Sequence, residues 1–330
     1  MKVEHIVLGA AFILMPLSRA NAQPAADPAS IWTIQDENSA ASRTPVRDHF
    51  YTNGFQLGWI SPTGMVPSVL ADFGHAIWGD GVQRVGFDLS QQIYTPVDTQ
   101  APSPNPRDRP YAGLLTGDVS LLSDTADSRH VLILSLGLVG PGAGAGEVQN
   151  GFHRLIGRPA VQGWGTQIGN TPAVELLHEQ TWRLPTGTIA GLETDMLPAL
   201  TAGIGDVRDY VQAGISFRIG QGLESDFGVP RLRPGLSGGD AYTPVRPFAW
   251  YVFAGADGQA VGYDLLLQAG PFRPGPRVSP AWDVAEMQAG AAIMVAGLRP
   301  TVAYVAQTTE FQEQRCGIHQ FGSASLSMRF

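Results

Sequence analysis

Gly322-Ser323-Ala324-Ser325-Leu326-Ser327-Met328-Arg329-Phe330 closes the chain, with Ala324, Leu326, Met328 and Phe330 in one phase and Ser323, Ser325, Ser327 and Arg329 in the other. Successive side chains of an extended strand point to opposite faces, so this segment has one apolar side and one polar side. The same alternation places Phe55, Leu57 and Trp59 against Gly54, Gln56 and Gly58, and Val85, Phe87 and Leu89 against Gly86, Asp88 and Ser90. Further runs of about ten residues follow at Leu114–Leu122, His130–Val139, Val174–Leu184, Tyr210–Gly220, Ala249–Phe253, Gly262–Gln268, Met287–Ala296, Val302–Thr309 and Ile318–Phe330, separated by turns rich in Gly, Pro, Asp and Ser. The polar phase is built from Gly, Ser, Thr, Gln and isolated charges, where a soluble sandwich carries Lys and Glu. This composition fits a lumen. The reading is an all-β protein, a transmembrane antiparallel β-barrel of roughly 11 to 14 strands, and because closure favours an even number, about 12 are expected. A terminal aromatic on an alternating strand also looks like the signal that the barrel assembly machinery recognises, so that machinery is an expected partner through Phe330.

Composition agrees. Only 15% of the 330 residues are charged, against roughly 25% in an ordinary soluble domain. The formal charge is -8 and Lys2 is the single lysine, so the chain has no basic arm or stripe for nucleic acid. One cysteine, Cys316, excludes an intrachain disulfide framework and a cysteine-based metal cage. At the N-terminus Lys2 precedes an apolar run, Ile6 to Leu17, and then Ser18-Arg19-Ala20-Asn21-Ala22. This is the pattern of a secretory signal peptide cut after Ala22, too short to span a bilayer, and it divides the chain into an export segment, 1–22, and a barrel, 23–330.

Chemistry is expected outside the wall, in segments free of its packing constraint. Three stand out. Gln35-Asp36-Glu37-Asn38-Ser39, leading to Asp48-His49-Phe50-Tyr51-Thr52-Asn53-Gly54, reads as a polar loop between the first two strands. Asp108-Arg109-Pro110-Tyr111-Ala112-Gly113 enters a strand. In Gly146–Gly157, Val148, Phe152, Leu155 and Ile156 recur at helical spacing, which predicts a short amphipathic helix, and short loop helices are expected at the extracellular rim. On it Gln149 and His153 are four apart and share a face. A neutral imidazole can take a proton from water, and a neighbouring amide can orient the water or the ring; the same pair also reads as solvated surface. No Gly-x-Ser-x-Gly elbow occurs and Cys316 has no adjacent base, so a serine or cysteine nucleophile is unsupported. Arg107, Arg109, Arg154 and Arg158 cluster in loops and could grip phosphates or sugar acids, although Arg is also the basic residue this chain uses everywhere.

Taken in order, Glu37-Asn38, Tyr51-Thr52-Asn53-Gly54, Asp108–Gly113, Gly140-Pro141, Gln149-Asn150 with His153, and Gly163-Trp164 with Gln167 resemble the outer-membrane lipid A 3'-O-deacylase family, the LpxR type. Asp226-Phe227-Gly228, Gly255–Asp264, Thr309-Glu310-Phe311 and Phe321-Gly322-Ser323 extend the likeness through the rest of the chain. The resemblance implies a 12-stranded barrel in the outer membrane of a Gram-negative cell. It also implies calcium-dependent hydrolysis of the 3'-acyloxyacyl ester of lipid A, in a site between the wall and a loop helix. His153 would be the general base, supported by Gln149, with Asn38 and Thr52 lining the catalytic site. Asp36, Glu37, Asn38 and Ser39 would offer oxygens to calcium, and the four loop arginines would contact lipopolysaccharide. The family has Asp where this chain has Ser39, which predicts a weaker calcium site and weaker activity, and Gly157–Ala160 offers no acid beyond His153. Two other readings compete: a non-catalytic barrel, structural or a narrow pore, and an outer-membrane phospholipase.

Overall fold

The computed structural model describes residues 24–42, 49–232, 241–270, 275–315 and 317–330. The expected signal peptide, Asp48 and Cys316 lie outside them. The strands are β1 (Ile31–Asn38), β2 (Phe50–Ile60), β3 (Val82–Thr95), β4 (Ala112–Asp124), β5 (Ser128–Val139), β6 (Thr171–Trp182), β7 (Leu184–Ile189), β8 (Leu192–Gly205), β9 (Arg208–Gln221), β10 (Phe248–Asp264), β11 (Asp283–Val295), β12 (Leu298–Gln307) and β13 (His319–Arg329). Each pairs antiparallel with its sequence neighbour, except that β6 and β7 run consecutively along β8, broken at Arg183. They form a single stave, so the closed barrel has the expected twelve. Closure joins β1 to β13 from Ile31↔Arg329 to Asn38↔Gly322, and Ser30 and Phe330 exchange both backbone hydrogen bonds. Asp27 clamps this seam by accepting from Arg329 at 2.5 Å and Arg84 at 2.6 Å. Burial of Asp27 opposes its ionisation, but the Ala29 amide and the two guanidiniums prevail and hold the carboxyl below its usual range.

The strand periodicity appears with the sign a membrane requires. Trp32, Ile34, Phe55, Leu57, Phe87, Leu89, Leu134, Leu136, Val174 and Leu176 face outward and are exposed, while Thr33, Gln35, Glu37, Arg218 and Arg299 are buried. In water such an apolar belt would forfeit about 25 cal/mol per Å² left uncovered; hydrocarbon removes that cost.

Both termini lie at one end. Three of the five connections there are short: 125–127, Ala190-Gly191 and Ala296-Gly297. In each of the latter two hairpins both residues have φ > 0, the two-residue geometry that matches strand twist. The other end carries most of the longer connections, including 140–170 with helix α2 (Ala145–Leu155) and 265–282 with α3 (Leu265–Gln268). Short turns face the periplasm and long loops the exterior in such barrels, which orients this one.

The β9–β10 connection turns into the lumen. Asp226 accepts from Arg218 at 2.5 Å, Arg299 at 3.1 Å and Tyr251 at 2.9 Å, and Arg218 also pairs with Asp195. Burial of Asp226 opposes its charge, yet the Arg218 and Arg299 guanidiniums hold the carboxyl below its usual range. Phe227 sits against the guanidiniums of Arg183 and Arg129, and further along Arg231 donates to Glu37 on β1 and Gln288 on β11. This segment fills the barrel with paired charges drawn from many staves.

Four sequence readings are corrected. Gln35–Asn38 belongs to strand β1 rather than a loop. Gly262–Gln268 is the end of β10 followed by α3. Leu192–Gly205, absent from the runs above, forms β8. Helices are not confined to the exterior rim, since α1 (Ser68–Trp78) lies at the terminal end.

Candidate active site between the wall and helix α2

Helix α2 has the expected composition, turned over. Its small and polar residues Ala145, Gly146, Gln149 and His153 are buried, Ala145 against the wall and the other three against the returning segment at Pro159 and Trp164, whereas Val148, Phe152 and Leu155 are 49%, 53% and 82% exposed. A soluble helix would do the reverse; an exposed apolar stripe is the face a helix presents to lipid. Close approach depends on absent side chains. A Cβ on Gly113 of β4 would fall 2.5 Å from Ala145 Cβ, and one on Gly163 2.3 Å from the Tyr111 ring. Ile93, Tyr111, Ala145, Val161 and Trp164 form the apolar seam, and Gln91 of β3 donates to the Ala143 carbonyl at 2.7 Å. Asn150 ties the returning chain to the helix through both the N–H and the C=O of Val161. Burial pushes the Tyr111 phenol up to about 12, so it stays protonated at neutral pH.

Within this seam the orientation of both candidate residues is set. His153 Nδ1 lies 2.8 Å from the Pro159 carbonyl. A carbonyl only accepts, so this bond puts the proton on Nδ1 and leaves the basic lone pair of the neutral ring on Nε2. A backbone group thereby does the orienting that no acid in Gly157–Ala160 can do. Trp164 Nε1 donates to Gln149 Oε1 at 2.8 Å. Indole only donates, which fixes the amide: its Nε2 is buried and has no hydrogen-bond partner among the described residues.

The wall presents its own polar groups at this end. Thr52 is the extra residue of a bulge in β2, where the pairing with β3 shifts between Tyr51 and Asn53, and its hydroxyl meets that of Thr95 at 2.7 Å. Asp36 accepts from Asn53 at 2.7 Å. Asn38 caps a 3-10 turn, Ser39–Ala41, by accepting from the Ala40 amide at 2.7 Å. Ser39 is fully buried and its Oγ has no hydrogen-bond partner among the described residues.

Glu37 departs from the expected metal set. It lies in the lumen phase with Thr33 and Gln35, opposite Asp36 and Asn38, and accepts from Gln35, Tyr51 and Arg231. Strand alternation separates it from its neighbours. No cluster of three or more His, Cys, Asp and Glu occurs among the described residues. Arg109 is corrected as well. It is 1% exposed, pairs with Glu310 at 2.7 Å and stacks over Tyr94, so it joins two loops and does not face a ligand. Arg107, Arg154 and Arg158 are exposed. Sequence reading missed Thr95, which meets Thr52 only across the sheet, and the Pro159 carbonyl, for which no side chain signals.

Comparison with known proteins completes the picture. LpxR from Salmonella typhimurium superposes with a TM-score of 0.76 at 22% identity, over 91% of this chain and all of that one. The β domain of the Bordetella autotransporter BrkA matches with a TM-score of 0.42 at 9% identity, over 92% of this chain and 99% of that one. No curated protein matches. The family model described as outer membrane protein LpxR matches residues 6–330, and on that match the chain belongs to the LpxR family of outer-membrane β-barrels.

Proposed function

We propose that this barrel is a lipid A 3'-O-deacylase that uses His153 to activate water. The observation that carries the reading is the inverted helix α2, which buries His153 and Gln149 and leaves its apolar stripe exposed at the end that carries the longer loops. A lipid ester there needs no extraction into water. His153 Nε2 takes a proton from water as the oxygen attacks the ester carbonyl; collapse of the tetrahedral adduct breaks the acyl C–O bond, and the imidazolium returns the proton to the sugar hydroxyl. The Gln149 Nε2 donor would hydrogen-bond the water or the developing oxyanion, with the Trp164 indole holding the amide against rotation. Asp36, Asn38 and the Ser39 hydroxyl, which has no hydrogen-bond partner among the described residues, suit a hard cation, with Thr52 lining the site; a set with one carboxylate belongs at the weak end of calcium sites. When bound, calcium supplies Lewis-acid polarisation of the ester carbonyl. Arg107, Arg154 and Arg158 are exposed, and lipopolysaccharide phosphates are the ligands they would take. Export through the N-terminal signal and recognition of the strand ending in Phe330 by the assembly machinery belong to the same proposal.

The exterior position of α2 favours lipid A over an inner-leaflet phospholipid, and the charge-paired segment in the lumen disfavours a pore. The test is mass spectrometry of lipid A from an outer-membrane host expressing the protein or His153→Ala, with calcium and with chelator. Loss of one acyloxyacyl mass with the unaltered chain alone is expected. Full activity of a folded His153→Ala barrel would remove His153 from the mechanism, and release of phospholipid acyl chains instead would favour the phospholipase reading.

A further inference from the structure

Helix α1 offers three distinct faces. Ala71, Gly74 and Trp78 turn to the outer wall: a Cβ on Gly74 would fall 2.7 Å from Gln83 Nε2, and that amide donates to the Ala71 carbonyl at 3.2 Å. The Trp78 indole stacks nearly parallel on His130 of β5 and His178 of β6, with ring centroids 5.4 and 5.9 Å apart. At 100° per residue Val69, Leu70, Phe73 and Ile77 share the next face, and all are exposed, Val69 by 77%. Ser68, Asp72 and His75 make the third, polar face.

A helix of this pattern satisfies itself at a boundary between hydrocarbon and water, with its axis along the boundary. The fold puts it at one. Gln83 touches α1, and the outward residues that follow on β3, Phe87 and Leu89, belong to the exposed lipid-facing belt, so α1 lies against the outer wall at the periplasmic edge of that belt. The short turns at this end mark it as the periplasmic side. We propose that α1 is an in-plane lipid-binding helix seated in the headgroup boundary of the periplasm-facing leaflet, with phospholipid as its partner. It would fix the depth of the barrel from the side opposite α2.

The experiment reads lipid contact rather than hydrolysis, so its outcome is separate from that of the deacylase reading. Val69→Cys, Phe73→Cys and Asp72→Cys, each with Cys316→Ser, are labelled with an environment-sensitive fluorophore and placed in vesicles of phosphatidylethanolamine and acyl-brominated phosphatidylglycerol. Quenching at positions 69 and 73 should exceed that at 72 by about threefold, with blue-shifted emission. Aqueous emission at all three positions, or equal quenching at 72 and 73, overturns the proposal. Photoactivatable phospholipid added to the unaltered protein gives a second measurement free of folding effects. Crosslinks within 65–78 are expected, and labelling of the wall strands without that peptide would point to a protein partner or bulk water instead.

Discussion

Replacing Gly113 by Ala should cripple hydrolysis without opening the barrel. The added Cβ would stand 2.5 Å from Ala145 Cβ and 3.3 Å from Ala143 Cβ. Carbon atoms pack at about 3.5–4.0 Å, so the start of α2 must retreat from the wall by about 1–1.5 Å. His153 lies eight residues along the same helix, about 12 Å away at 1.5 Å per residue, and a rigid helix carries the displacement to it. A misplacement of about 1 Å at a reacting group costs about 100-fold in rate, or about 2.7 kcal/mol of barrier, beside an overpacking penalty of about 1–3 kcal/mol in stability. The assay is the initial rate of lipid A deacylation, measured on samples shown to be folded by heat-modifiable migration. Gly117→Ala is the control, since a Cβ there meets only the Leu136 carbonyl oxygen at 4.0 Å. Adding Ala145→Gly to Gly113→Ala removes the opposing methyl and should restore much of the rate. Wild-type turnover in the single Gly113→Ala variant would show that the spacing of helix and wall does not set the geometry of the site.

Other consequences follow from the same contacts. Trp164→Phe keeps the ring but strips Gln149 Oε1 of its donor, leaving a buried acceptor unpaired; about 1–3 kcal/mol of stability and at least tenfold in turnover should be lost, and an unchanged rate would remove Gln149 orientation from the mechanism. Asp226→Asn leaves Arg218 and Arg299 without a shared carboxylate and should cost about 3–5 kcal/mol, seen as a lower urea midpoint. Because Asp226 is held below its ordinary value of 3.8, its contribution is complete above that value and is lost as pH falls through the lower folded one; the variant should therefore flatten the acid limb of stability, and an identical acid limb would contradict the ion-pair assignment. Ser39→Asp adds a second carboxylate to the proposed cation site and should lower the calcium concentration needed for half-maximal turnover, whereas a weaker calcium response would displace Ser39 from that site.

Barrel, strand number and helix α2 were legible in the chain because strand and helix periodicities are local: the phase of Phe55, Leu57 and Trp59, or of Val148 and Phe152, needs no partner to be read. Order along the chain also marked Gln149 and His153. Alternation alone does not say which phase faces lipid and which faces lumen at a strand end, so Asp36 and Glu37 looked like one ligand pair until β1 put them on opposite faces. Arg109 looked like a ligand grip because its buried partner, Glu310, is 201 residues away. The tertiary structure alone decided that α2 buries its polar face and exposes its apolar one, that Pro159 and Trp164 orient His153 and Gln149, and that Asp226 and Arg231 pair with charges inside the lumen. These depend on contacts between segments distant in the sequence or on backbone carbonyls, and neither leaves a periodic mark in the residues themselves.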